Sequence, residues 1–157
     1  MENKKTLPQE VKGISIVFMV LFTGLILFLA VSVGLNLTRG PFLQNPKFTQ
    51  IFMGAVIILS VICLYLAHSG YNKRMLPEVY DMKTVPEKLE HYRLGFMKYM
   101  SLVEAPAIFA IIGFMLTGYF LFLVITFILL LNMLLKRPSR LRLISDLQLN
   151  SNEQLEL

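Results

Sequence analysis

The longest nearly uncharged stretch of the chain carries a single carboxylate. Within 99–135 the only charged residue is Glu104, and almost all other side chains are apolar. A single helix of that length would extend ~55 Å, whereas the hydrocarbon core of a bilayer is about 30 Å thick. The stretch must therefore turn back on itself, and turn chemistry lies at Thr117-Gly118-Tyr119. These residues predict a membrane hairpin with a carboxylate on its first arm.

Composition extends this prediction to the whole chain. Of its 157 residues, 55% are hydrophobic, and the mean hydropathy is +0.63, above that of soluble proteins. Apolar stretches predict transmembrane helices at about 13–36, 48–68, 95–117 and 119–135. We expect an all-α polytopic membrane protein. Its transmembrane domain, 1–138, has four helices in two antiparallel hairpins, and a short cytoplasmic amphipathic tail, 139–157, follows.

The first apolar stretch follows a basic start, as the core of a signal peptide does. Ala30-Val31-Ser32 has the small residues of a cleavage site. The apolar region is longer than the core of a typical signal peptide, however. We therefore expect it to be retained as the first transmembrane helix.

Lysine and arginine residues are distributed unevenly about the predicted helices. With four spans, both termini and the polar segment 71–93 lie on one side of the membrane, which carries twelve cations. They are Lys4, Lys5, Lys12, Lys73, Arg74, Lys83, Lys88, Arg93, Lys136, Arg137, Arg140 and Arg142. The other side carries only Arg39 and Lys47. This asymmetry predicts that both termini lie in the cytoplasm, and it explains the net charge of +5 without a nucleic-acid partner.

Two sites have the sequence of a helix start. Asn45 before Pro46 predicts an N-cap followed by proline in the first turn. Thr84 and Glu87 predict a capping box that begins the third helix near Val85. The third helix is therefore expected to begin in water and to run to the turn described above.

The tail combines leucines and arginines at helical spacing. Leu141, Ile144 and Leu147 form an apolar edge beside Arg140 and Arg142. This pattern predicts a helix over 139–147 that lies on the anionic cytoplasmic surface of the membrane. Docking onto a partner protein is the alternative explanation of the same edge.

Each predicted span has an oxygen-bearing side chain near its centre, namely Thr23, Ser60, Glu104 and Thr126. Hydroxyl groups can bond a carbonyl of their own helix, whereas a carboxyl group needs partners outside it. We predict that Glu104 faces the bundle interior within reach of Ser60 or Thr23, with Ser101 one turn below it. Glu104, Ser60, Thr23 and Ser101 are therefore the candidate ion- or proton-binding residues.

Two nearby residues bear on what Glu104 can do. Pro106 removes the N–H that would bond the carbonyl of Leu102, which predicts a helix kink beside the carboxylate. Lys98 lies about 120° round the helix from Glu104 and is expected to extend toward the cytoplasmic interface. An ionised carboxylate at this depth costs ~2.5–3.5 kcal/mol. Glu104 is thus expected either to exchange ions or protons or to form an interhelical hydrogen-bonded clasp.

Two resemblances bear on function. The segment 103–110, Val-Glu-Ala-Pro-Ala-Ile-Phe-Ala, resembles the carboxylate segment of rotary-ATPase proteolipid c subunits, in which Glu-Ala is followed by Ala-Ile-Tyr-Gly. That resemblance implies that Glu104 carries an ion. The whole chain resembles small four-span bacterial membrane proteins of uncharacterised function, which have a Glu-bearing third helix and a basic Pro-Ser/Thr stop after the fourth. This second resemblance implies a four-span fold in a bacterial inner membrane, but it implies no activity.

These observations leave three functional hypotheses. The first is an accessory or assembly subunit, and the second is a proton- or cation-coupled transport element that uses Glu104 in an oligomer. A membrane enzyme ranks last, because the sequence contains no HExxH, GxSxG or glycine-rich phosphate-binding motif. His68 and His91 are too few and too far apart for a metal site, and no cofactor is expected. The expected partners are the lipid bilayer and either further copies of the chain or a larger membrane complex.

Overall fold

The structure is a computed structural model that describes residues 7–80, 82 and 84–147, and these are helical except at the connections. The helices are α1 (Leu7–Arg39), α2 (Pro46–Ser69), α3 (Leu76–Tyr80), α4 (Val85–Thr117), α5 (Phe120–Leu135) and α6 (Arg140–Leu147). A π-helical segment, Gly70–Met75, joins α2 to α3. The predictions on Lys4, Lys5, Lys83 and the tail beyond Leu147 lie outside the described residues, as do the side chains of Arg74, Arg140 and Leu141.

Three helical stretches are long and apolar enough to cross a membrane: Lys12–Arg39, Pro46–Tyr80 and Val85–Thr117. α5 is a shorter apolar helix of 16 residues, or about 24 Å at 1.5 Å per residue. The prediction of an all-helical chain with apolar helices of membrane-spanning length is therefore confirmed.

α4 is the central helix, because α1, α2 and α5 each pack against it. α1 runs parallel to α4. The Phe18 and Phe96 rings lie 6.5 Å apart, and further along both helices Ser32 donates a hydrogen bond to the carbonyl of Ile111 at 3.3 Å. α2 and α5 run antiparallel to α4. α1 and α2 approach α4 more closely than they approach each other.

The predicted turn between α4 and α5 is confirmed. Gly118 adopts the left-handed conformation, with φ +65°, and its N–H donates to the carbonyl of Phe114 at 2.7 Å. Residues with a Cβ rarely adopt this conformation, which explains the glycine. The hydroxyl of Thr117 donates to the carbonyl of Gly113 at 2.7 Å. The end of α4 is therefore closed by its own turn.

The last turn of α1 and the loop that follows it supply further caps for the same end of α4. The side-chain amide of Asn36 donates to the carbonyls of Phe114 and Met115 at 3.1 and 3.2 Å. The N–H of Leu43 donates to the carbonyl of Leu116 at 2.8 Å. The last carbonyls of a helix have no partner within it, and unsatisfied groups are costly beside hydrocarbon. The end of α1 and the following loop thus stabilise the end of the central helix.

The two predicted helix starts differ in how they are capped. Asn45 caps α2 as predicted, because its side-chain oxygen accepts from the N–H groups of Lys47 and Phe48 at 3.1 and 3.3 Å. α4 begins at Val85 as predicted, but Thr84 makes no side-chain capping bond, so the predicted capping box is wrong. A proline in the first turn removes one of the N–H groups that such a cap could bond.

The second apolar helix is longer than predicted. The predicted end of this helix is near His68, whereas helical structure continues through the π-helical segment and α3 to Tyr80. Tyr71, Met75 and Val79, spaced four residues apart, are all buried. An apolar stripe therefore runs through this charged segment, and its contact with α4 stabilises the extra turns.

The tail is helical from Arg140 to Leu147, within the predicted range. Leu143 and Leu147 are fully buried in the main core, and α6 contacts α3 and α4. Ile144 is partly buried against the same core. The expectation that the apolar edge lies on the membrane surface is therefore wrong for Leu147, because the chain's own helices cover it.

Candidate functional sites along α4

Glu104 lies at the edge of the side of α4 that packs against α1. Seven residues further along that side, the carbonyl of Ile111 accepts a hydrogen bond from α1. Glu104 itself is partly buried, between buried Val103 and exposed Ala105. In the described part of the chain its carboxylate forms no hydrogen bond and no ion pair. Its acceptor positions are therefore free in the middle of an apolar helix, where hydrocarbon offers no donors.

The buried hydroxyl groups at a similar depth bond within their own helices. Ser60 is 6% exposed and donates to the carbonyl of Val56 at 2.7 Å. Thr126, fully buried, donates to the carbonyl of Phe122 at 2.9 Å. Ser60 therefore forms no direct hydrogen bond with Glu104, and its hydroxyl donates to an acceptor four residues earlier instead.

The remaining predicted site residues do not join Glu104 either. Thr23 and Ser101 are exposed, and Thr23 lies in a shallow depression on the outer surface of α1 beside Gly24. Pro106 is buried, and α4 continues through it as one helix. No hydrogen bond links the predicted site residues to one another among the described residues. Their ion-binding role and the kink stay predictions.

One side of α4 is only partly covered by the described helices. α1, α2 and α5 pack on its other sides, and this side carries Ser101, Ala105, Ile108 and Ile112, spaced four, three and four residues apart. Adjacent Phe109 is 46% exposed. These five residues form what we call the open face, and the carboxylate described above lies at its edge. The spacing is that of a helix–helix contact, and small central side chains permit close approach.

A second group of polar side chains lies where α4 begins. The hydroxyl of Tyr71 donates to the Asp146 carboxylate at 2.6 Å and lies 3.1 Å from the hydroxyl of Tyr92. Tyr92 also donates to Asp146 at 3.4 Å, and Arg142 Nε lies 3.6 Å from that carboxylate. These four residues, which we call the tyrosine cluster, join the π-helical segment, α4 and α6. The cluster was not predicted from the sequence, because its tyrosines lie in charged segments that are typical of solvent-exposed structure.

Lys136, the first residue after α5, lies over two tyrosine rings. Its Nζ is 4.7 Å from the ring centre of Tyr71 and 5.9 Å from that of Tyr99, whose hydroxyl donates to Asn132. Burial lowers the pKa of the Lys136 ammonium, and nearby Arg142 lowers it further. The cation–π contacts favour the charged form and so oppose both effects. The end of α5 is thereby held against α4 and the π-helical segment.

A cleft of about 370 Å³ opens between α4 and the helical stretch 66–78. At its polar end His91 Nε2 lies 2.7 Å from Glu78 Oε2. Its other end is lined by Leu66 and Leu102, and Lys98 lies between the two ends. The cleft thus combines one cation, one anion and an apolar wall.

Among the described residues, no group of three or more His, Cys, Asp and Glu side chains is arranged to hold a metal ion. No protein-family model, curated protein or solved structure matches this chain. The function must therefore be inferred from Glu104, the open face and the two polar regions where α4 begins.

Proposed function

We propose that this protein is a small integral membrane subunit, without catalytic chemistry, that assembles through the open face of α4 with a helix of a larger membrane complex. Four helices cross a bacterial inner membrane in two antiparallel pairs, α1 with α2 and α4 with α5, and both termini lie in the cytoplasm. The open face carries the proposal, because it lies on the helix that every other span contacts and yet the described helices cover it only in part, leaving Ser101, Ala105 and Phe109 exposed.

Apolar exposure alone does not indicate a partner in a membrane, because lipid tails cover leucine and phenylalanine as well as protein does. The open face differs from a lipid-facing surface in two respects. Ser101 and Ala105 lack bulk, so another backbone can come close, and Glu104 at the edge has no bonded partner among the described residues. A partner helix that donates a hydrogen bond to Glu104 would offset part of the ~2.5–3.5 kcal/mol that an ionised carboxylate costs at this depth.

Photo-crosslinking in native membranes tests the proposal. A photoreactive residue at Ala105 is expected to form a discrete adduct with one protein, which mild-detergent co-purification then identifies. Phe127, 67% exposed on α5, is the matched control, since it lies near the centre of its span and outside the open face. We expect only lipid adducts there. Lipid adducts alone at both positions, or the same protein adduct at both, would contradict assembly through the open face.

Cysteine labelling tests the proposed topology. On a background in which Cys63 is replaced by alanine, single cysteines are placed at Gln44 and Glu78, both exposed. The cation asymmetry predicts that an impermeant maleimide added to intact cells reacts at Gln44 only, and that Glu78 reacts only after the membrane is opened. Reaction at both positions in intact cells would contradict the arrangement.

One observation favours a second candidate function, proton or cation exchange at Glu104. A carboxylate near the middle of a span with no bonded partner in the described chain is free to take up a cation or a proton. The resemblance of 103–110 to rotary-ATPase proteolipid c subunits supports this candidate. In this case the open face is the place where a further subunit completes the ion site.

A hydrophobic carbodiimide distinguishes this candidate, because it attacks protonated carboxyl groups from the lipid phase. Glu104 is expected to be modified, with less modification as pH rises, since only the protonated form reacts. Exposed Glu87, in the first turn of α4, is the internal control and should stay unmodified. Mass spectrometry of the peptides reads both sites. A Glu104 that resists modification even at low pH would contradict proton exchange.

A further inference from the structure

The cleft between α4 and the stretch 66–78 has a gradient of polarity along the axis of α4. Its polar end carries the hydrogen-bonded pair Glu78 and His91, and its inner end carries Leu66 and Leu102. From His91 to Leu102 is about eleven residues of helix, or roughly 16 Å. With the proposed orientation, this distance runs from the headgroup layer deep into the acyl-chain region of the cytoplasmic leaflet.

The cation Lys98 and the anion Glu78 line the cleft at different depths along α4. Lys98 lies between the apolar end and Glu78, and a lysine side chain is long enough to bring its ammonium to the headgroup layer. Lys98 is exposed and has no ion pair among the described residues. Glu78 uses only Oε2 in its contact with His91, so its other oxygen can accept. The order from the membrane outward is therefore apolar wall, cation, anion.

The wall of the cleft is fixed by close packing. A Cβ at Gly95 would overlap Met75 Sδ, so a larger residue there would force the Met75 side chain to move. Tyr71 and Tyr99 also line the cleft, and their hydroxyls are already bonded to Asp146 and Asn132. The volume of about 370 Å³ lies at the lower end of the ~300–1,000 Å³ of small-molecule sites. The cleft therefore suits a headgroup and the first part of one acyl chain.

We propose that the cleft binds one phospholipid of the cytoplasmic leaflet whose headgroup joins a phosphate to a primary ammonium. In such a lipid the phosphate lies next to the glycerol and the ammonium lies further out, which is the order of Lys98 and Glu78. Lys98 contacts the phosphate, Glu78 accepts hydrogen bonds from the ammonium, and an acyl chain lies against Leu66 and Leu102. A choline headgroup has no N–H to donate to Glu78, and a glycerol headgroup brings no cation to it.

The inference rests on the membrane orientation proposed above but not on a helix at the open face, and the two can fail separately. Loss of the Ala105 crosslink would contradict the subunit proposal and leave lipid binding unaffected. Loss of lipid preference would contradict the lipid proposal and leave the Ala105 crosslink unaffected.

Native mass spectrometry of the full chain in mild detergent tests the site with lipids of identical acyl chains. Ethanolamine lipid is expected to be retained at least fivefold better than choline or glycerol lipid. Lys98→Gln should lower retention of all three lipids, whereas Glu78→Gln, which keeps an acceptor but removes the charge, should lower only the preference for ethanolamine over choline. Glu87→Gln, an exposed substitution on α4 outside the cleft, should change neither the retention of the three lipids nor the preference among them.

A series of ethanolamine lipids with one, two and three N-methyl groups needs no variant and so does not depend on the folding of any substituted chain. Retention by the unsubstituted protein should fall stepwise as N–H groups are lost. Equal retention across the series, or a preference for the glycerol headgroup, would overturn the proposal. If Glu78→Gln prefers ethanolamine over choline lipid as strongly as the unsubstituted protein does, Glu78 is not the acceptor for the ammonium.

Discussion

Replacing Asp146 by alanine should detach α6 from the bundle and lower the free energy of unfolding by about 2–4 kcal/mol. The carboxylate accepts from Tyr71 at 2.6 Å and from Tyr92 at 3.4 Å, and Arg142 lies 3.6 Å away. Hydrogen bonds to a charged group contribute ~1.5–3 kcal/mol each, and buried hydroxyls without an acceptor add a desolvation cost. Thermal unfolding of the purified protein measures the loss. Limited proteolysis after α5 reports the release of α6.

A control substitution in α6 distinguishes the loss of the tyrosine-cluster bonds from a change in helix propensity. Ser145 is exposed and adjacent in sequence, and Ser145→Ala should leave both measurements unchanged. Tyr71→Phe should lose part of the same stability, and adding it to Asp146→Ala should cost less than the sum, because both remove one bond. Equal stability of the Asp146 and Ser145 variants would show that apolar packing alone holds α6.

The packing that accompanies this cluster explains why the tail was only partly predictable. The spacing of its leucines predicts a helix with one apolar edge, and a helix forms over Arg140–Leu147. A pattern of spacing shows that a face must be covered but not what covers it. Leu143 and Leu147 are covered by the core around Val79 and Leu89. That surface exists only because the charged segment before α4 folds into helical turns.

Local chemistry accounts for the features that the sequence did predict. The cap at Asn45 and the turn at Gly118 depend on residues within three or four positions, and both occur as expected. The amide of Asn36 could not be identified in this way, because its acceptors on α4 lie 78 and 79 residues away. Its role appears only once α1 and α4 are known to lie side by side.

Glu104 likewise has one property that the sequence predicts, its depth in the membrane, and one that it does not, the direction of its side chain. Its depth follows from its place in the apolar stretch, so the sequence predicts a carboxylate near the middle of a span. Its direction depends on which sides of α4 are covered. α1, α2 and α5 pack around α4 so that Val103, Ala107 and Ala110 are buried and Ser101 is exposed. Hydrophobic periodicity could not show this, because in a membrane the exposed side is also apolar.

The other large effect is expected at the contact between α4 and α5. A Cβ built on Gly113 would lie 2.6 Å from Phe122 Cε1, closer than any real contact, and Phe122 is fully buried. Gly113→Ala should therefore push α5 away from α4 and lower the free energy of unfolding by ~1–3 kcal/mol, the usual cost of overpacking. Thermal unfolding in detergent measures the effect.

Two further substitutions show whether the phenylalanine ring is the cause. A Cβ at Gly34 meets nothing within 4 Å, so Gly34→Ala is the matched control and should be neutral or slightly stabilising, as alanine favours helix over glycine by ~1 kcal/mol. Phe122→Leu removes the ring atoms that meet the new methyl group, so it should restore part of the stability lost in Gly113→Ala. If the double variant instead loses the sum of the two single effects, the two side chains do not meet. α5 would then pack on α4 at a different register from the one that Gly113 and Phe122 define.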